Sequence, residues 1–330
     1  MKRVLLTATG VAIVLSFVAL PAQAYETKVF PNTDGLRIHD VSPAPDGLVW
    51  WTARGAGMLG ILDPETGESR FVELGPDSAP HGVIQGPDGL AWITDSGQNA
   101  IVSYDPSNQD VAVYPLPEDT GYTNLNTPAI DGDGNVWFTG QNGIYGKLTV
   151  ATGNVQVWES PRGRGPYGIT ATPDGNIWWS SLAGSYLAQV VNRETGEIRI
   201  IEPPEPGVGL RRVWSDSKGN LWTSEWRGGH LGRYVPATGE WTRWRVPGAP
   251  EGENASIYAI YVDDQDIVWV SNFTSNAVYS FDPATEQFTK VPGSEPESNV
   301  RQILGSPGVI WLPESGNNSI VRVDTTTPGA

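Results

Sequence analysis

The chain has 330 residues, of which 39 are Gly, 27 are Pro and 14 are Trp, and 18% are charged. With one residue in five Gly or Pro, helix bundles and coiled coils are excluded, and an apolar share of 39% excludes general disorder. A formal net charge of −16 repels phosphate backbones and excludes nucleic acid as a natural partner; the lack of Cys removes disulfides, thiolate metal sites and Cys nucleophiles.

Read in chain order, residues 1–24 have the form of a cleaved secretory leader. Lys2 and Arg3 precede an apolar run from Val4 to Leu20, and Ala22-Gln23-Ala24 is a small-residue cleavage site. Loss of those two cations takes the net charge from −16 to −18. No later segment has 18 consecutive apolar residues, so the expectation is a soluble, monomeric protein that is periplasmic or secreted, with no membrane span after cleavage. Residues 25–330 are expected to form one domain.

After the leader comes a lone strand-like segment, YETKVFPN (Tyr25–Asn32). Repeated units follow, marked by Trp50, Trp92, Trp137, Trp178, Trp222, Trp269 and Trp311 at spacings of 42, 45, 41, 44, 47 and 42 residues. The unit that starts at His81 reads HGVIQ, a PDG turn, LAWIT, a polar turn, AIVSYD, a turn, and DVAVYPL. Four short strands per unit of this length predict an all-β, seven-bladed propeller of four-stranded blades. The last unit ends after a third strand, SIVRVD (Ser319–Asp324). The segment Tyr25–Asn32 therefore supplies its missing fourth strand and closes the ring, and the seven Trp pack between blades.

In a propeller the first strand of each blade lines the central channel. One face of that channel then carries the residue about eleven before each Trp: His39, His81, Asn126, Tyr167, Arg211, Tyr258 and Arg301. The ends of the second strands reach the same face with Ala53 or Arg54, Asp95, Gly140, Ser181, Glu225, Asn272 and Glu314. A mouth lined by His, Arg and carboxylates suits proton transfer or cation binding. His230, in a third strand, is expected to be structural. Asp131–Asn135 (DGDGN) and Asp263–Asp266 read as turns, since the first departs from a calcium loop at its sixth and twelfth positions. No nucleotide, flavin or haem motif is present.

The segments SAPHGVIQGPDGLAWITD, GPYGITATPDGNIWWS and LWTSEWRGGHLGRY resemble the virginiamycin B lyase (streptogramin lyase) family. That resemblance implies a seven-bladed propeller that opens a cyclic depsipeptide by Mg²⁺-assisted elimination at its ester. It implies His81, in Pro80-His81-Gly82, as the general base, and His39, one blade earlier, as a substrate contact. It also implies two Glu metal ligands; Ala79 stands at one of those places and Asp95 or Ser96 falls near the other. The resulting expectation is an exported lyase-like enzyme with His81 catalytic. Substrate would be held by His39, Tyr167, Arg211, Tyr258 and Arg301, and Mg²⁺ or Ca²⁺ by Asp95, Glu225 and Glu314. One alternative is a non-catalytic propeller binding a small molecule or partner protein at this face through Arg54, Tyr122, Arg164, Trp226 or Arg227. Another is a lactonase-like hydrolase whose metal draws on Asp95, Asn126, Asn272, Glu225 and Glu314.

Overall fold

The structure, a computed structural model, describes residues 25–32, 34–248, 255–292 and 296–328. The expected leader lies outside the described residues. Among them, 28 strands, β1 (Tyr25–Pro31) to β28 (Ser319–Pro328), form seven four-stranded antiparallel sheets. Each sheet of blades 1 to 6 is four consecutive strands, joined by turns whose positive φ falls mostly on Gly, Asn and Asp, with Gln109, Ser185 and Glu286 as exceptions. The seventh runs in the order β26 (Leu304–Ser306), β27 (Val309–Glu314), β28, β1. The first strand thus pairs antiparallel with the last, with Phe30 opposite Ile320 and Val29 opposite Val321. This is the seven-bladed propeller expected from the sequence, closed by its N-terminal strand.

All seven repeat Trp lie in second strands and are buried. Each one sits in a separate apolar cluster that joins its own blade to the next. Trp50 packs with Val83 and Ile93, Trp137 with Ile169 and Ile177, and Trp311 with Val41 and Val49 across the closure. Strand alternation sends one face of each blade to each neighbour, so the core is seven interfaces rather than one centre. Four of these indoles also donate to a turn Asp in their own blade: Trp92 to Asp88, Trp137 to Asp131, Trp222 to Asp216 and Trp269 to Asp263. Asp131 further accepts the backbone N–H groups of Asp133 and Asn135, so its carboxylate serves the turn.

Inner strands are fixed to one another by hydroxyls two residues after the repeat Trp. Thr94 Oγ1 lies 3.0 Å from the Gly82 N–H that donates to it and gives its own proton to the Asn126 carbonyl of the next blade at 2.6 Å. Thr52, Thr139, Ser180, Ser224 and Ser271 donate in the same way to the carbonyls of His81, Tyr167, Arg211, Tyr258 and Val300. Five of the six acceptors are inner-ring positions and the sixth, Val300, precedes one, so this relay sets the channel wall. The seventh blade has Pro313 at the equivalent place, and the relay stops at the junction between blades 7 and 1.

Candidate functional site

Five inner strands slip register by one residue at the ring positions. They are β6 (Pro80–Gln85), β10 (Leu125–Ile130), β14 (Pro166–Ala171), β18 (Leu210–Ser215) and β22 (Ile257–Val262). Each bulge turns its ring residue toward the axis: His81, Asn126, Tyr167, Arg211 and Tyr258. In two blades a Gly follows, because the neighbouring strand passes too close for a side chain. A Cβ on Gly82 would lie 2.7 Å from the Asn126 carbonyl, and one on Gly168 would lie 2.6 Å from the Arg212 Cα. The Gly of Pro80-His81-Gly82 is therefore explained by packing.

The ring residues divide into two groups. On blades 4 to 6, Arg211 Nη2 donates to the Tyr167 hydroxyl at 2.8 Å, and that hydroxyl lies 2.6 Å from the Tyr258 hydroxyl. The Arg211 guanidinium stacks over Tyr258 at 3.5 Å and over Trp226 at 4.1 Å. This cluster fills its half of the channel with its own side chains. Burial raises the Tyr167 phenol, but Arg211 and Arg212 outweigh it and bring the group below its ordinary value. Tyr258 is pushed up, by burial first and then by Tyr167.

The other half, on blades 7, 1 and 2, is open. A cavity of about 780 Å³ is lined by Arg37, His39, Arg54, Ala79, Arg301 and Ser315, together with short apolar segments around Leu36 and Ala56. His39 lies at its inner wall, 17% exposed, with Nδ1 2.9 Å from Asp40 Oδ1. The Asp40 carboxylate accepts from Nδ1–H, which leaves Nε2 as the basic nitrogen. Asp40 is buried and its second oxygen lies 3.6 Å from Arg212 Nη2. Burial alone would raise Asp40, but the hydrogen bond and charge of His39 and the charge of Arg212 hold it at about 2.

His81 is 4% exposed, with its ring 4.3 Å from that of His39. Its Nε2 lies 3.2 Å from Asn126 Nδ2, whose Oδ1 accepts from Thr127 Oγ1; Arg212 Nη1 donates to that hydroxyl in turn. The donor chain places the Asn126 amide as donor and the His81 Nε2 lone pair as acceptor. His81 Nδ1 is buried without a hydrogen-bond partner. Burial, then the charges of His39, Arg212 and Arg54, lowers the His81 imidazole well below its ordinary value, so it is neutral.

The carboxylates expected to hold a metal are placed differently. Asp95 sits opposite Pro80 in the sheet, and the pleat turns it into its own hairpin. Its oxygens accept the N–H groups of Ala79, Gly97 and Gln98, the Ser78 hydroxyl and the Gln98 amide. Glu225 is held by two hydrogen bonds from Arg243 on the outer strand β21 (Glu240–Arg245), and Glu314 accepts from Asn317 and Ser319. Asn272 caps its hairpin by accepting from the Thr274 and Ser275 N–H groups. Among the described residues, the one cluster of His and acid side chains close enough to share an ion is His39, Asp40 and His81. Among the described residues the three carboxylates do not converge: Asp95 and Glu314 serve their hairpins, Glu225 pairs with Arg243, and Ala79, at one of the Glu places that the resemblance implies, offers no oxygen. Sequence reasoning missed Asp40 and Arg212, although each directly follows a ring residue, His39 and Arg211: Arg212 lies in the β18 bulge, and His39 and Asp40 likewise both face Thr52, whose carbonyl accepts from the His39 N–H and whose N–H donates to the Asp40 carbonyl. Tyr122 is exposed, Arg227 bonds the Gly207 and Leu182 carbonyls, and His230 bonds the Gly228 carbonyl in the outer part of blade 5.

A propeller with a histidine–carboxylate pair at one side of its channel mouth is thus the class that fold and site define. A family model described as the virginiamycin B lyase family matches residues 20–252, and the chain belongs to that family. Among solved structures, a streptogramin B lyase superposes with a TM-score of 0.81 at 22% identity, covering 91% of this chain and 97% of that one. Virginiamycin B lyase from Staphylococcus aureus gives 0.80 at 20% identity, covering 91% and 99%. A catalytically inactive variant of that enzyme with quinupristin gives 0.81 at 20% identity and the same coverages. At these identities the structures bear on the fold alone. No curated protein sequence matches the chain significantly.

Proposed function

We propose that this protein is an exported lyase-like enzyme that opens an ester by elimination, with His39 as the proton acceptor. The observation that carries the reading is the Asp40–His39 pair facing a cavity large enough for a small molecule. Family membership supports a lyase-like activity, and the leader-like residues 1–24 support export. In the proposed step, His39 Nε2 takes the proton on the carbon α to a carbonyl. That electron pair forms the Cα=Cβ bond, the Cβ–O bond breaks, and the ester acid leaves as a carboxylate. His39 later returns its proton to solvent. Asp40 is a positioning residue: it fixes the tautomer and stabilises the imidazolium. His81 stands beside the reacting imidazole as a neutral, desolvated partner; its Nε2 lone pair is engaged by Asn126, so this reading gives the base role to His39 instead of His81. No step runs through a metal held by Asp95, Glu225 or Glu314.

The test is turnover of a panel of cyclic depsipeptides and lactones by purified protein. His39→Ala is expected to lose about 10²–10⁴ in turnover with the fold intact, the usual size of a general-base contribution. Full activity in His39→Ala would return the base role to another group. Inactivity of the wild type on every ester would leave the cavity as a binding site only.

A further inference from the structure

The cavity is cationic in a strongly acidic protein. Its lining includes the guanidiniums of Arg37, Arg54 and Arg301 with the His39 ring, and no Asp or Glu. None of these arginines takes part in an ion pair among the described residues, whereas Arg162, Arg193, Arg212 and Arg243 do. Neutral groups orient two of them instead. Arg54 Nη2 donates to Ser96 Oγ at 3.3 Å, and Arg301 Nε donates to Ser315 Oγ at 3.1 Å. The Arg301 guanidinium also lies 5.1 Å over the Phe273 ring. Asp40, the acid nearest the cavity, already serves His39 and Arg212. A divalent cation entering here would meet the guanidiniums of Arg54 and Arg301, with Arg37 at the rim, without an oxygen ligand set to offset them. An anion would meet fork donors of matching geometry.

We propose that the mouth is a carboxylate-binding site, in which Arg54 and Arg301, with Arg37 at the rim, supply the positive charge that a metal ion would otherwise bring. The inference rests on the mouth being the ligand site proposed above and deepens it. The anion that fits the reaction is the carboxylate released when the Cβ–O bond breaks, so the product acid binds where it forms. Leu36, Ile38 and Ala56 beside the guanidiniums favour an acid with an apolar body.

The experiment is calorimetry of the wild-type protein with 3-phenylpropionate, its neutral isostere 3-phenylpropionamide, inorganic phosphate and Mg²⁺, at low and moderate salt. The carboxylate is expected to bind at least about tenfold more tightly than the amide, and to weaken as salt rises. Arg54→Gln and Arg301→Gln are each expected to lose about tenfold for the carboxylate and nothing for the amide. Arg54→Lys should retain part of the affinity, and Arg199→Gln, on the outside of blade 4, all of it. Tight phosphate binding that fails for the carboxylate would show an inorganic-anion site and overturn the assignment. Equal binding of acid and amide, binding of neither, or Mg²⁺ binding at this mouth would also overturn it. Ester turnover measured in parallel separates the two claims. Turnover with no preference for the acid sinks the anion site alone, and acid binding without turnover sinks the reaction alone.

Discussion

Two histidines 4.3 Å apart share one channel yet have opposite surroundings. His39 has a buried carboxylate on Nδ1 and open cavity in front; His81 has an amide donor, no carboxylate of its own and almost no solvent. Replacing Asp40 by Asn keeps the shape but removes the acceptor that fixes the tautomer. Asp40→Asn is therefore expected to lower kcat by about 10² or more with KM little changed, and to alter the pH–rate profile, which simple loss of packing would not do. His81 also predicts a stability effect. Its folded pKa lies well below the ordinary 6.5, so its neutral form stabilises the fold above that value, and the contribution is lost as pH falls from about 6.5 toward the folded pKa. His81→Asn should flatten the fall in Tm between pH 7 and pH 5, as read by calorimetry at each pH; an unchanged slope would remove His81 as its source.

At the scale of strands, the blade pattern was legible because Trp, turn residues and β-branched runs recur at similar spacing. Its finer parts were not. Counting back eleven residues from each Trp located the ring, but only the register slip shows that the following residue also nears the axis, which hid Asp40 and Arg212. Counting forward located Asp95, Glu225 and Glu314 at the right height but not their direction, since the pleat turns each carboxylate into its own hairpin or toward an outer strand. The hydroxyl relay did leave a trace, Ser or Thr two residues after six of the seven Trp. Removing one link leaves a buried amide and a buried carbonyl short of a partner. Thr94→Val is thus expected to cost about 1–3 kcal/mol, read from denaturant midpoints. Thr326→Val, on the exposed end of the last strand, should cost almost nothing.

For the whole molecule, closure and charge are the two properties that matter most. The ring is held shut by one terminal strand, in which Phe30 is buried against Trp311 and Ile320 while Val29 is about half exposed. Deleting residues 25–31 removes the Phe30 burial, roughly 1.5–3 kcal/mol, and exposes an edge on β28; the truncated chain should melt well below the full one and associate more readily. A net charge of −16 around a mouth lined by arginines makes that mouth the exception on an acidic surface. Whether His39 opens the ester by elimination is read from the mass of the product formed from a cyclic depsipeptide. Elimination gives a linear product isomeric with the substrate, carrying a new C=C bond and no oxygen from ¹⁸O-labelled water, and this product should vanish with His39→Ala. A product heavier by one water with ¹⁸O incorporated, or an isomeric product still formed at the wild-type rate by His39→Ala, would contradict it.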